Sequence, residues 1–268
     1  MEKFFNTSFC VIPPNRIKQT LSSATGKNIK IAVIDSGWDI KKRDCRIKKG
    51  IGLVNPNDEL ELKESENYND ENGHGTACAE IILRLAPDIE IYPVKIFGKQ
   101  IETSINILQR ALFWAIENKM NLIHLSLGTV LEEALKPIYY ACEVAKKNRI
   151  SIISSQANNT NYSYPAVFEN VISVVSGQFE TGFDFEVEGK NYNEYKAKGI
   201  YDDTLTLSEN RIKMAGNSFA APNITAISAL VLEKYGIIEI DKLRNILDQL
   251  AINSHSSNIT GFPTEGSR

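Results

Sequence analysis

Short apolar runs bounded by turn residues alternate along this chain with longer stretches whose apolar positions recur at helical spacing. The first run, residues 30–34 (KIAVI), is continuous rather than alternating and stops at Asp35-Ser36-Gly37, the pattern of a strand buried on both faces. Further strands are expected at residues 89–96, 122–127, 150–154 and 171–175. Helical periodicity spans about residues 76–85, 103–118 and 131–148, the last weakened by Pro137. Strand and helix in alternation predict an α/β fold, a mostly parallel sheet with helices on both faces.

Residues 178–214 change character. They are polar with interspersed aromatics (Phe183, Phe185, Tyr192, Tyr195) and read as hairpins at one edge of the sheet. A long apolar helix is expected over 218–235 and an amphipathic one over 241–250. The stretch 55–72, rich in Asn, Asp and Glu, reads as a solvated loop, with contact to a ligand or cation as the alternative. The division that follows is an N-terminal extension over 1–27, one folded domain over 28–252 and a polar tail over 253–268.

A length of 268 residues with 43% hydrophobic content supports one sizeable core. The 33 acidic and 30 basic side chains leave a net charge of -3, too weak a field to gather nucleic acid or an anionic membrane. No apolar run reaches the roughly 18 residues of a membrane span, so neither nucleic acid nor membrane is an expected partner. Cys10, Cys45, Cys78 and Cys142 lack the short paired spacings of a zinc site or a disulfide framework. Reduced thiols in a cytoplasmic protein are expected, a mature extracellular chain being the alternative. The first ten residues carry no apolar core of a secretory signal before Pro13-Pro14.

Three histidines are available for chemistry. His255 falls in the polar tail, and His124 falls inside an apolar strand, where a satisfied structural role is expected. His74 is the candidate base, set in Asn72-Gly73-His74-Gly75-Thr76, where small neighbours let an imidazole stand clear at a helix start. Asp35 ends a buried strand, and open α/β sheets bind ligands at the carboxyl ends of their strands. Ser218 lies in GNSFAAP where the long helix begins, so its backbone N–H has no intrahelical acceptor and faces outward with the positive end of the helix. Pro222 is tolerated there because the first helical turn needs no donor.

In the order Asp, His, Ser, the segments VIDSG, GHGTA and GNSFAAP resemble the D-S/T-G, H-G-T-H and G-T-S-x-A-x-P patterns of the subtilase family. Leu85-Ala86-Pro87 with Tyr92-Pro93-Val94-Lys95, and NLIHLSLG over 121–128, resemble further segments of that family, so the likeness covers about residues 28–235. It implies a serine endopeptidase with Asp35, His74 and Ser218 as its triad. It also implies Asn158, in Ser155-Gln156-Ala157-Asn158, as the side-chain donor of the oxyanion hole, with Asn159 as the competing candidate. An extended peptide or protein substrate would lie between Ser126, Leu127 and Gly128 on one side and Gly98, Lys99, Gln100 and Ile101 on the other. Ser155, Gln156, Ala157 and Ser163 would surround the S1 pocket.

Departures from the family pattern shape the expectation. Asn217 and Phe219 flank the nucleophile in place of the family's usual residues and are expected to narrow the cleft. Ala157 and Ser163 stand where the family commonly has glycine, which makes a shallower, partly polar S1 pocket that disfavours large aromatics. Cys78 lies under the base, one helical turn after His74. No inserted loop separates His74 from Pro87 where secreted members wrap calcium, so neither a metal nor a cofactor is expected. The expected role is a selective intracellular processing protease, such as one that removes the leader of a ribosomally made peptide. General protein turnover is the main alternative, and an inert peptide-binding pseudoprotease a lesser one. An α/β-hydrolase would need G-x-S-x-G and the order Ser, Asp, His; a dinucleotide-binding module would need a glycine-rich turn after the first strand.

Overall fold

Alternate side chains of the first strand, β1 (Lys30–Asp35), enter two different cores: Ile31 and Val33 one, Ala32 and Ile34 the other. A strand covered on both faces reads as an unbroken apolar run for this reason. The computed structural model describes residues 16–55, 57–160, 162–188, 194–205 and 211–252; the positions expected for the polar tail, and Cys10, Tyr192 and His255, lie outside these.

Eight further strands join β1 in a nine-stranded sheet: β2 (Ile51–Asn55), β3 (Asp58–Ser65), β4 (Glu90–Lys95), β5 (Leu122–Leu125), β6 (Ser151–Ser155), β7 (Ile172–Gly177), β8 (Phe185–Glu188) and β9 (Glu194–Lys198). Their spatial order is β3-β2-β4-β1-β5-β6-β7-β9-β8. Pairing is parallel except at the two edges, where β3 and β8 run antiparallel to their neighbours. A separate antiparallel hairpin is formed by β10 (Ile200–Leu205) and β11 (Arg211–Ala215). One face is covered by α1 (Arg16–Thr20), α2 (His74–Leu85), α5 (Asn217–Tyr235) and α6 (Ile240–Leu250), the other by α3 (Ile105–Glu117) and α4 (Leu135–Lys147). Every residue of α5 from Ala220 to Leu232 is buried, which is why its sequence shows no polar face.

Chain order decides where a site can form. From β1 the chain builds β2, β3 and β4 on one side of the strand and then crosses to β5, β6 and β7 on the other. The crevice beyond the carboxyl ends of β1 and β5 is therefore the switch point of the sheet, the usual ligand position in this architecture.

Three expectations are corrected. Much of the stretch 55–72, read as a loop, is the edge strand β3. Both of its faces are largely exposed, its apolar alternation is only two residues long, Leu60 and Leu62, and acidic groups in and just after it engage basic partners, Glu64 with Arg110 at 2.6 Å and Glu66 with Lys49 at 2.5 Å. The fourth helix starts at Leu135 rather than 131, which puts Pro137 in the first turn, where its missing N–H breaks no bond. The long helix starts at Asn217 rather than 218, and Pro222 is its sixth residue, beyond the first turn in which a missing donor breaks no bond. In 178–214 the expected edge hairpin is present as β8 and β9, with β9 joined in parallel to β7. At the other end of the chain, Ile17 and Leu21 pack into the core that holds α2 and α5. Among the described residues no helix is long and apolar enough to cross a membrane, and Cys45, Cys78 and Cys142 are free thiols.

Candidate active site

Asp35, the last residue of β1, has no solvent exposure and accepts three hydrogen bonds. His74 Nδ1 lies 2.8 Å from Oδ1 and 3.0 Å from Oδ2, and the Ser36 N–H donates to Oδ1 at 2.7 Å. His74 opens α2, with 12% of its side chain exposed. The two can meet only because residue 75 is glycine: a Cβ there would fall 2.6 Å from Gly37 O and 3.1 Å from Asp35 Cβ. Burial resists protonation of His74, but the adjacent Asp35 carboxylate outweighs it and holds the imidazole pKa well above its ordinary 6.5. The Cys78 thiol, 3.9 Å from Nδ1, is itself pushed up by burial and stays neutral.

The loop leading into α2 is organised by Asp70, which is 3% exposed. Its carboxylate accepts the backbone N–H groups of Asn72 (2.9 Å), Gly73 (2.7 Å) and Thr76 (2.9 Å) and the Thr76 hydroxyl (2.6 Å). These include donors that a helix leaves free at its start. Burial opposes the Asp70 charge, yet the bonds from Gly73 and Thr76 prevail and hold its pKa below 3.8. Lys95, 2% exposed at the end of β4, donates to Asn69 O at 2.7 Å and to Glu71 Oε2 at 2.6 Å, tying the same loop to the sheet.

Ser218 is the second residue of α5, after Gly216 at a φ of 136° that only glycine adopts readily. Its hydroxyl donates to the Ser126 carbonyl at 3.2 Å, so in this resting arrangement it is turned toward the strand rather than bonded to His74. Phe219 packs its ring against the His74 imidazole, centroids 5.2 Å apart. Asn158 Oδ1 accepts the Asn217 N–H at 2.9 Å, which leaves Nδ2 as the free donor of that amide. Asn158 lines the cleft with Ser218; Asn159 does not.

The cleft has a volume of about 490 Å³ and is lined by Ser126, Leu127, Gly128, Ser155, Gln156 and Ala157. Ile101 of the expected second wall also lines it. The rest of the expected second wall is placed differently. Gly98 and Lys99 line a separate depression of about 380 Å³ under the β2–β3 hairpin. The N–H groups of Lys99 and Gln100 are held by the Glu59 carboxylate of β3, at 3.1 and 3.3 Å.

Two further expected cleft residues face inward. Ser163 has no exposure; its Oγ accepts the Ala157 N–H at 2.9 Å and donates to Gln156 Oε1 at 3.0 Å, so it braces the segment Gln156-Ala157 from behind. Asn217 Oδ1 accepts the Ser176 N–H at 2.8 Å, and Nδ2 donates to the carbonyls of Gln156 (3.1 Å) and Ala157 (3.3 Å). Its side chain ties α5, β7 and the oxyanion loop together instead of narrowing the cleft. The reason is the same for both: loop amides and carbonyls beyond the strand ends have no ladder partner, and these side chains supply one.

Sequence reasoning missed Asp70, Lys95 and Glu59. Asp70 carried a usable signal, an aspartate just before a helix start. Glu59 carried none, because nothing local marks which of the acidic residues of 55–72 reaches an amide 40 residues further along the chain. Among the described residues, the one cluster of potential metal ligands is Asp35, His74 and Cys78, of which the first two are bonded to each other.

A family model described as the Subtilase family matches residues 26–262. The minor extracellular protease Epr of Bacillus subtilis (strain 168) is 29% identical over 237 residues, covering 83% of this chain but only 35% of that protein. Subtilisin DY of Bacillus licheniformis is 27% identical over 244 residues, 85% of each chain. The solved nisin leader peptidase NisP of Lactococcus lactis shares the fold with a TM-score of 0.70 at 18% identity, over 89% of this chain and 92% of that one.

Three outcomes follow from this geometry. The working base is neutral His74, and its raised pKa places the acid limb of the kcat/KM pH profile above 6.5. Asp35→Asn shifts that limb downward and lowers kcat by roughly 10⁴-fold, read from steady-state profiles. The depressed Asp70 pKa makes its stabilisation fully present above 3.8 and lost as pH falls through the lower folded value. Asp70→Asn thus loses about 1–3 kcal/mol in urea denaturation at neutral pH, and the gap to the parent closes in acid. Glu59→Ala frees the Lys99 and Gln100 amides for substrate, so KM for a peptide extended upstream of the scissile bond falls about two- to tenfold with kcat little changed.

Proposed function

Since the chain belongs to the subtilase family and is a serine endopeptidase of that family, we propose that it is a dedicated processing enzyme, one that removes the leader of a ribosomally made peptide. Ser218 attacks the scissile carbonyl, His74 takes the hydroxyl proton and returns it to the leaving amine, and Asp35 holds His74 with its proton on Nδ1. Asn158 Nδ2 and the Ser218 N–H receive the oxyanion.

The observation that carries the selective reading is the Glu59 carboxylate on the amides of Lys99 and Gln100. A peptide that augments this edge must displace a charge-assisted contact or carry side chains that accommodate it. Most unfolded chains would enter poorly, while a matched leader would compensate through its other contacts. The fold shared with a leader peptidase supports the reading. The Ala157 methyl in the S1 wall and the braced Ser163 behind it favour small or medium P1 side chains over large aromatics. The free thiols of Cys45, Cys78 and Cys142 support a reducing compartment such as the cytoplasm.

Incubation of the enzyme with a denatured proteome, followed by terminal sequencing of the products, tests the proposal. The expected result is cleavage at very few sites, with few aromatic residues at P1. Abundant cuts across unrelated sequences would leave a general turnover protease instead.

A further inference from the structure

Helix α5 begins with a gap in its own hydrogen bonding. Ser218 stands four residues before Pro222, which has no N–H, so the Ser218 carbonyl lacks its i+4 donor. A part-buried carbonyl without a donor is unfavourable. Ser126 fills the gap, its hydroxyl donating to Ser218 O at 2.7 Å. The Ser126 carbonyl also accepts the Ser218 hydroxyl. One residue therefore grips the nucleophile by both its backbone and its side chain.

A hydroxyl has a single proton to give, and its direction at Ser126 depends on the group behind it. That group is His124, which has no exposure. Its Nε2 lies 2.8 Å from Ser126 Oγ, and its Nδ1 lies 2.8 Å from Thr225 Oγ1. If the imidazole proton sat on Nδ1, Nε2 would draw the Ser126 proton, and Ser218 O would keep only the Cys78 thiol at 3.6 Å, a weak donor. With the proton on Nε2, each group is matched in one direction: Thr225 hydroxyl to Nδ1, Nε2–H to Ser126 Oγ, Ser126 hydroxyl to Ser218 O. The Thr225 hydroxyl also reaches its i−4 carbonyl, Ala221 O, at 3.0 Å, so giving its one proton to Nδ1 at the shorter 2.8 Å forgoes that bond, and Ala221 O keeps the Thr225 backbone N–H of a regular helix.

We propose that His124 is a positioning residue for the nucleophile: its neutral imidazole, protonated on Nε2, commits the Ser126 hydroxyl to the Ser218 carbonyl and so fixes the turn that presents Ser218. Burial, reinforced by the positive charge His74 can carry and only partly opposed by Asp35, pushes the His124 pKa down to about 4, which keeps the ring in its one-proton form at neutral pH. The inference rests on Ser218 as nucleophile and is independent of the substrate.

Two measurements test it. In ¹⁵N-labelled enzyme at pH 7, two-bond ¹H–¹⁵N correlations should show His124 as the Nε2–H tautomer; the Nδ1–H tautomer would overturn the proposal, because Ser126 would then donate to His124. In parallel, His124→Leu keeps bulk without polar atoms, whereas the amide of His124→Asn can donate to Ser126 and accept from Thr225. The Leu variant should lose about tenfold or more in kcat and in the rate of Ser218 labelling by a fluorophosphonate, with KM within about twofold. The Asn variant should recover most of that loss. Unchanged kcat in the Leu variant, or an Asn variant as impaired as the Leu one, would reduce His124 to packing. Should the Leu variant fail to fold, the tautomer and the Asn variant still decide.

Discussion

A carboxylate removed from water must be held by donors or it will not stay charged, and the active centre is built around meeting that demand at Asp35. The side chain has no exposure, and its acceptors are occupied by His74 Nδ1 and the Ser36 N–H. Meeting it requires α2 to start within contact of the end of β1, which in turn requires glycine at 75 and a fixed loop before the helix. Asp70 and Lys95 supply that fixation from opposite directions, the first through loop amides and the second through Asn69 O and Glu71. The catalytic histidine is thus held mainly by residues that never touch substrate.

The nucleophile side is organised on the same principle with different groups. The long helix α5 carries Pro222 at its sixth position, beyond the first turn, and the unsatisfied Ser218 carbonyl this creates is answered by Ser126. Asn217 joins that turn to the oxyanion loop through the carbonyls of Gln156 and Ala157, while Asn158 returns the contact by accepting the Asn217 N–H. The amide of Asn158 is oriented by this exchange, leaving Nδ2 toward the cleft. Catalysis by preorganised dipoles needs such second contacts, because a donor free to rotate would have to be ordered during the reaction.

The edge of the sheet contributes a further internal contact. The β2–β3 hairpin lies beside the segment 98–101 that follows β4, and Glu59 of β3 accepts the amides of Lys99 and Gln100. Backbone amides outside the sheet have no ladder partner, and here an internal carboxylate supplies one for two of them. The hairpin is thus separate from the elements that carry Asp35, His74 and Ser218, namely β1, α2 and α5.

Much of this was legible in the amino-acid sequence. The continuous run before Asp35, the small residues around His74 and the serine at the start of an apolar helix each reflect local chemistry, since a buried parallel strand and a helix start impose their residue types within a few positions. The α/β class followed from the alternation of those segments. The sequence by itself could not show which polar side chains face inward, because Ser163, Asn217 and Glu59 take their roles from partners 6, 41 and 40 residues away. Nor did it mark a strand within 55–72, since on this doubly exposed edge the apolar alternation is only Leu60 and Leu62 among charged and amide side chains. His124 was legible as a satisfied buried histidine, but its link to Ser218 passes through Ser126 and a proline-made gap in α5. Only tertiary structure brings a strand end and a helix start close enough for one proton's direction to matter.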